Sequence, residues 1–272
     1  MKASFSSNKM NRKDIGLLKK RLDKVVKLVN VPGFIKDDPI SIPHLFTNQK
    51  DIEIMGLLAA TLAWGQRVTI LNNCHKLIHL FDGAPHQFIM QHEPKDLKRF
   101  DSFVHRTFND TDLLWFIYIL RKQYQQYPSL ETAFTKGIQP TDTHIGGGLV
   151  HFHQLFFADD EAPSRTKKHV STPLRNSACK RLNMYLRWMV RSDTTGVDFG
   201  IWKNINPALL LCPLDVHVSR TARELGLINR KQDDWLTVIE LTEQLKQLDA
   251  HDPIKYDFAL YGMGVKKIPL PD

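Results

Sequence analysis

Asp51-Ile52-Glu53-Ile54-Met55-Gly56-Leu57-Leu58-Ala59-Ala60-Thr61-Leu62-Ala63-Trp64 decides the fold class, because from Ile54 onward it is apolar on almost every side of a helix. A helix with no polar face must lie at the centre of a fold, covered by other elements. Asp51 suits its N-cap. Outward from this run the same period recurs. Upstream, Leu17-Leu18, Leu22, Val25-Val26 and Val29 keep the i, i+3/i+4, i+7 spacing with lysines and Arg21 between them, and Pro32-Gly33 ends that helix. Downstream of Gly65-Gln66-Arg67 the spacing resumes at Val68, Ile70-Leu71, Leu77-Ile78 and Leu80-Phe81, then stops at Asp82-Gly83-Ala84-Pro85. Asn109-Asp110-Thr111-Asp112 caps a helix over Leu113 to Leu120, and Ser129 caps a short one through Phe134. More helices are predicted from Ser177 to Val190, Val216 to Leu225 with Gly226 as its stop, Leu236 to Leu248, and Ile254 to Met263 after Pro253. Clear strand alternation and internal repeats are absent, so the class is all-α and larger than one four-helix bundle. Ala158 to Thr172 mixes charges around Pro163 without an apolar period, and reads as an exposed loop between two lobes. Residues 1–12 read as a polar, disordered start, leaving 13–272 as one two-lobed helical domain.

The 272 residues are 42% hydrophobic and 24% charged, an ordinary globular composition. A chain of this length buries roughly 70–75% of the surface its unfolded form exposes, so it needs no disulfide or metal to fold. It holds no run of about 18 apolar residues and no signal-peptide core, so neither a membrane partner nor secretion is expected. Cys74, Cys179 and Cys212 are odd in number and far apart, which fits free thiols in a reducing cytoplasm and argues against a four-cysteine zinc or iron–sulfur site. Lys plus Arg number 37 against 29 for Asp plus Glu, a formal net charge of +8, which favours a polyanionic partner through phosphate neutralisation.

Two short segments carry chemistry. Leu174-Arg175-Asn176-Ser177-Ala178-Cys179-Lys180-Arg181-Leu182-Asn183 falls where a loop hands over to a helix, so Lys180 sits near a helix N-terminus. The positive end of the helix dipole disfavours an ammonium there and makes a neutral amine nucleophile more available. Solvated surface charges are the plain alternative for Lys180 and Arg181. In Leu209-Leu210-Leu211-Cys212-Pro213-Leu214-Asp215-Val216-His217-Val218-Ser219-Arg220, an apolar run leads to an acid just before a helix. Asp215 suits an N-cap, and equally a carboxylate at the mouth of a cleft that steadies developing positive charge. His217 and Arg220 stand one turn apart, as a phosphate contact or as a surface pair.

Together these segments resemble the helix-hairpin-helix DNA glycosylase superfamily, whose members carry an L-P-G-V-G-x-K hairpin and a later V-D-T-H-V-x-R segment. Leu174 to Lys180 aligns to the hairpin without a gap, and Leu214 to Arg220 aligns to the second motif. The resemblance places Lys180 on the Schiff-base lysine and Asp215 on the catalytic aspartate. The central helix through Arg67 resembles the one whose end, Gln66 here, fills the hole left by an everted base, and Asp257-Phe258-Ala259-Leu260-Tyr261-Gly262 resembles a late helix of the family. Two hairpin glycines are replaced, by Asn176 and Ala178. Asn tolerates the left-handed backbone and Ala does so poorly. Lys180 and Asp215 stand 35 positions apart, a layout nearest to archaeal 8-oxoguanine DNA glycosylases, and the C-terminal cluster cysteines of endonuclease III are missing.

The resemblance implies an all-α fold of two helical lobes with a cleft between them, in a monomer bound to DNA, with no cofactor, no metal and no iron–sulfur cluster. It implies base excision, as a glycosylase with lyase chemistry, on a damaged, for instance oxidised, base. Gln66, Arg67, Asn176, Arg181, His217 and Arg220 are the expected DNA contacts. A nucleic-acid-binding protein of the same fold without catalysis, and a helical protein-interaction domain, are the alternatives. Arg187 and Arg191 read as an extension of the basic face or as a solvated helix face. Ile145-Gly146-Gly147-Gly148-Leu149 reads as a flexible helix start rather than a phosphate loop. His144, His151 and His153 lack a carboxylate motif to complete a metal site. Trp115, Phe116, Tyr118, Phe152, Phe156 and Phe157 read as core, with one of them free to stack on a base.

Overall fold

A computed structural model describes residues 12–272, and the disordered start expected over residues 1–12 lies outside them except for Arg12. Helix α1 (Arg12–Val29) presents Leu18, Leu22, Val25, Val26 and Val29 to the core. Three short 3-10 turns lead to α2 (Gln49–Leu62), in which every residue from Ile52 to Leu62 is buried. Asn48, not Asp51, caps α2, accepting from the Lys50 N–H. Asp51 instead accepts from the His86 N–H at 2.7 Å, in the first turn of α4 (Pro85–Gln91). Between them runs α3 (Arg67–Leu80).

The all-round burial of α2 includes a carboxylate. Glu53 is fully buried and accepts hydrogen bonds from Ser129 Oγ (2.6 Å), Trp202 Nε1 (2.8 Å), Tyr124 Oη (2.8 Å) and the Leu130 N–H (2.9 Å). A buried charge costs several kcal/mol unless its lone pairs are met, and here donors surround it.

A two-stranded antiparallel hairpin, β1 (Val104–His105) and β2 (Phe108–Asn109), pairs Val104 with Asn109 and His105 with Phe108. Two residues per strand are too few to show an alternation. Helix α5 (Asp110–Gln126) starts at the Asn109 cap, with Asp112 bonding back to the Asn109 N–H. Helix α6 (Thr132–Thr135) begins three residues past Ser129, whose hydroxyl accepts from the Glu131 N–H while donating to Glu53.

The glycine run opens α7 (Gly146–Phe156), and its purpose is contact rather than flexibility. A Cβ on Gly147 would stand 2.2 Å from the Gly137 carbonyl oxygen, and one on Gly148 2.9 Å from that of Phe134. The main chains of α7 and of α6 with its following turn therefore touch. Gly147→Ala is expected to cost about 2 kcal/mol, since overpacking against a rigid carbonyl must shift backbone. A urea unfolding curve within 0.5 kcal/mol of wild type would contradict this contact (about the scale of a neutral surface change).

The stretch 158–172 is exposed as expected at Ala158, Asp160 and Glu161, but its second half is packed. Ser164–Lys168 forms a 3-10 turn, and Thr166, His169, Val170 and Thr172 are buried. Asp112, fully buried at the head of α5, holds it: Thr166 Oγ1 donates to Asp112 at 2.7 Å, and Arg165 and His169 stand 3.3 and 3.4 Å from its other oxygen. Paired charges had disguised a packed connection.

Helix α8 (Lys180–Val190) starts at Lys180 rather than Ser177. Then come α9 (Val216–Glu224), followed by Gly226 at φ 69°, α10 (Trp235–Leu248) and α11 (Tyr256–Lys266). Helix α1 packs on α10 and α11, α11 on α9, and α2 on α3, α4 and α8. Helices α9 and α11 approach closely at Gly264, where a Cβ would lie 2.9 Å from Thr221 Oγ1 and 3.0 Å from the His217 carbonyl oxygen. The described residues thus form an all-α fold with one small hairpin, and none of their helices is long and apolar enough to cross a membrane.

Candidate active site

The start of α8, the start of α9 and the first turn of α11 converge on a cavity of about 270 Å³. Each chain segment reaches it for a local reason. Before α8, Asn176 adopts the left-handed conformation (φ 55°), which asparagine tolerates. Ala178 is not asked to do so; Cys179 is (φ 49°), and the strain expected at Ala178 falls one residue later, on a buried thiol. Two contacts pin this turn to the start of α10: the Trp235 N–H donates to the Asn176 carbonyl (3.2 Å), and Asn176 Nδ2 donates to Asp234 (3.2 Å). Asn183 Nδ2 donates to the Ala178 carbonyl at 3.1 Å and ties the turn to α8.

Lys180 is therefore the first residue of a helix and points along the cavity wall. Its Nζ lies 3.9 Å from Asp215 Oδ2 and 3.6 Å from Met184 Sδ. Asp215 is both the cap of α9 and a carboxylate lining the cavity. Oδ1 caps α9, accepting from the His217 and Val218 N–H groups at 2.9 and 3.0 Å, which fixes the carboxylate and leaves Oδ2 toward Lys180. Both side chains keep about a third of their surface exposed, 29% and 32%.

Deeper in the cavity stands Asp257, with 7% of its side chain exposed. Burial pushes its carboxyl up to about 6, against the pull of the Arg187 guanidinium, and the Asp215 charge adds to the rise. Arg187 donates to Asp257, stands 3.2 Å from Asp198 and lies 4.4 Å over the Phe258 ring. Arg191 continues the network to Asp193 (2.7 Å), Asp198 (3.0 Å) and Asp252 (3.1 Å). Neither arginine forms a basic or solvated face. Both are buried, because four carboxylates gather around them.

The remaining expected contacts divide. Gln66 caps α3 with its backbone and is exposed, its side chain making no cap bond, between Gly65 and Arg67, which line the cavity. Arg67 reaches Tyr261 Oη (3.0 Å) and the Asp37 carbonyl. His217 also lines the cavity, and Arg220, exposed one turn on, stands 3.5 Å from it. Asn176 lies on the exposed hairpin. Arg181 is turned inward: its guanidinium donates to the Thr61 carbonyl (2.5 Å) at the end of α2 and to that of Lys168 (3.4 Å), so it braces helices rather than facing a ligand.

The aromatic walls are Phe34, Trp64, Phe258 and Tyr261. The expected aromatic clusters lie elsewhere, Phe116, Phe152 and Phe156 fully in the core. His151 bonds the Ala133 carbonyl, and no group of three potential metal ligands gathers among the described residues. Asp257 belongs to no motif, and its one signal in the sequence is an acid in the first turn of an otherwise apolar helix. The cavity thus sets an amine and a carboxylate at its mouth and a second carboxylate on its floor, between aromatic walls.

The chain belongs to the family described as protein of unknown function (DUF2400), which matches residues 38–266 and so takes in every cavity-lining residue named here except Phe34. No curated protein and no solved structure matches it.

Proposed function

We propose that this protein is a DNA base-excision enzyme of the helix-hairpin-helix glycosylase type, with Lys180 as nucleophile. The observation that carries the reading is the 3.9 Å approach of Lys180 Nζ and Asp215 Oδ2 at the mouth of an aromatic-walled cavity, beside the exposed Gln66. The helix contacts support a two-lobed layout, with α1, α9, α10 and α11 on one side and α2 to α5 with α8 on the other. The cavity draws Trp64 and Lys180 from one group and Asp215 and Asp257 from the other, as a cleft between lobes would. Its volume, just under the roughly 300–1,000 Å³ of small-ligand sites, suits one everted base rather than a larger ligand.

In this reading an everted nucleotide enters the cavity while Gln66 fills the gap left in the stack. The Lys180 nitrogen bonds through its lone pair to the sugar C1′ as the bond from C1′ to the base nitrogen breaks, that bond's electron pair leaving with the base. Asp215, held by its cap bonds, faces the positive charge that develops on the sugar and receives the proton that the amine sheds. Ring opening then gives a Schiff base between Lys180 and C1′. The formal charge of +8 favours the approach to phosphates.

Borohydride trapping on duplexes carrying 8-oxoguanine, hypoxanthine, thymine glycol or an abasic site tests this directly. A covalent adduct is expected with wild type and none with Lys180→Gln. No adduct on any of the four, or an adduct that survives the substitution, would overturn the reading. Salt-sensitive binding without an adduct would point to a non-catalytic nucleic-acid-binding protein instead.

A further inference from the structure

Asp257 takes no part in the steps above, yet it is the most buried ionisable group lining the cavity apart from its partner Arg187. We propose that Asp257 is the proton donor to the departing base, so that the site releases bases that leave as neutral molecules. This rests on the base-excision reading.

Of the three carboxylates that line the cavity, Asp38 caps the turn at Pro39, while Asp215 and Asp257 divide between mouth and floor. Asp215 is at the mouth, a third exposed, with one oxygen on two N–H groups and the other toward Lys180. Asp257 is on the floor, heading α11, with one oxygen on Arg187 and the other 4.0 Å from Cys212 Sγ. When two carboxylates share a cavity, their surroundings decide which holds the proton. Burial and the Asp215 charge push Asp257 up to about 6, while Arg187 and Lys180 pull the other way. The charged groups facing it are therefore Arg187 and Lys180 of α8, Asp215 ahead of α9, and, through Arg187, Asp198. Asp252, ahead of α11, is turned to Arg191.

A base breaking from C1′ carries away the bond's electron pair. In a low-dielectric cavity that already holds Asp38 and Asp215, an anionic base would be repelled. Transfer of the Asp257 proton to a ring nitrogen or exocyclic oxygen of the base lets it depart neutral. The aspartate left behind is met by the guanidinium already bonded to it. Solvent restores the proton after release. Nothing beyond the substrate and water is consumed.

An abasic-site duplex separates this step from the rest, because it reacts through Lys180 but has no base to release. Asp257→Asn is expected to slow base release from the best of the intact-base duplexes by about 100-fold or more, the lower end of general acid catalysis. Trapping on the abasic duplex should fall by less than about tenfold, since general acid catalysis is not called on there. Equal loss on both duplexes, or undiminished base release, would overturn the proposal. Wild type supplies an independent readout should the variant fold poorly. Its base release relative to abasic cleavage should fall with rising pH, about tenfold per unit well above the Asp257 titration near 6. A flat ratio across that range would also overturn it. Failure of wild type to trap even the abasic duplex would instead sink the base-excision reading itself.

Discussion

Glu53→Ala is expected to lower the unfolding free energy by about 4 kcal/mol or more, a large share of the roughly 5–15 kcal/mol that holds a domain folded. The carboxylate sits in the first half of α2 with no solvent contact and accepts from four donors on three different chain segments. Removing it leaves the Leu130 N–H and Trp202 Nε1 without an acceptor at about 1–3 kcal/mol each, and opens a void. Glu53→Gln sharpens the point. Trp202 donates to one oxygen and Leu130 to the other, and neither N–H can turn round to accept. Whichever way the amide is placed, its NH₂ meets one of these donors, so the near-isosteric change should still cost about 2 kcal/mol. Urea unfolding at neutral pH is the measurement. A loss under about 1 kcal/mol for Glu53→Ala would mean that water replaces the network freely.

Arg187→Met is expected to cost about 3–5 kcal/mol, because it strands buried Asp257 and takes one of two guanidinium partners from Asp198. Asp198 keeps Arg191 at 3.0 Å, but Asp257 loses the one cation bonded to it among the described residues. Arg187→Lys should recover only part of the loss, since one ammonium cannot span both acids as the planar guanidinium does. The loss has a definite pH dependence. Asp257 already titrates near 6 in the fold, above its ordinary carboxyl value of 3.8, and without Arg187 it moves further up. A carboxyl raised in the folded state favours the fold below its unfolded value, and that benefit is lost as pH rises through the folded value. The deficit of Arg187→Met should therefore be smaller at pH 5 than at pH 8. Unfolding curves at both values decide it, and a deficit that does not grow with pH would contradict the assigned pairing.

Features set by neighbours in sequence were legible; those set by neighbours in space were not. The Asn109 and Asp215 caps and the Gly226 stop depend on a few adjacent residues, and periodicity alone located the buried α2. The cap of α2 was misplaced to Asp51 because Asn48 and Asp51 are equally good local candidates, and only the packing of α4 onto Asp51 separates them. Arg187 and Arg191 share a helix stripe, which says that they face one way but not what awaits them. Asp198, Asp252 and Asp257 come from three distant stretches of chain. The connection 158–172 misled for the same reason, its charges being answered by Asp112 across the fold. At the site, motif order singles out Lys180 and Asp215, which stand 3.9 Å apart, whereas Asp257 carries no motif of its own and reaches the same cavity only through the packing of α11 on α9.

That neighbouring pair has a mechanical side. Asp215 heads α9 and Asp257 heads α11, and at Gly264 the two helices are so close that no side chain fits between them. A side chain at Gly264 would press on the His217 carbonyl and Thr221 Oγ1 and force the helices apart. The two carboxylates are therefore carried by one tightly packed helix pair, and their spacing is expected to stay fixed whatever fills the cavity. Across the cavity the Gly65 turn is less confined, with Gly65 and Gln66 exposed and Gly65 at φ 102°. Changes on that softer side would alter what is admitted without resetting the distance between the two acids.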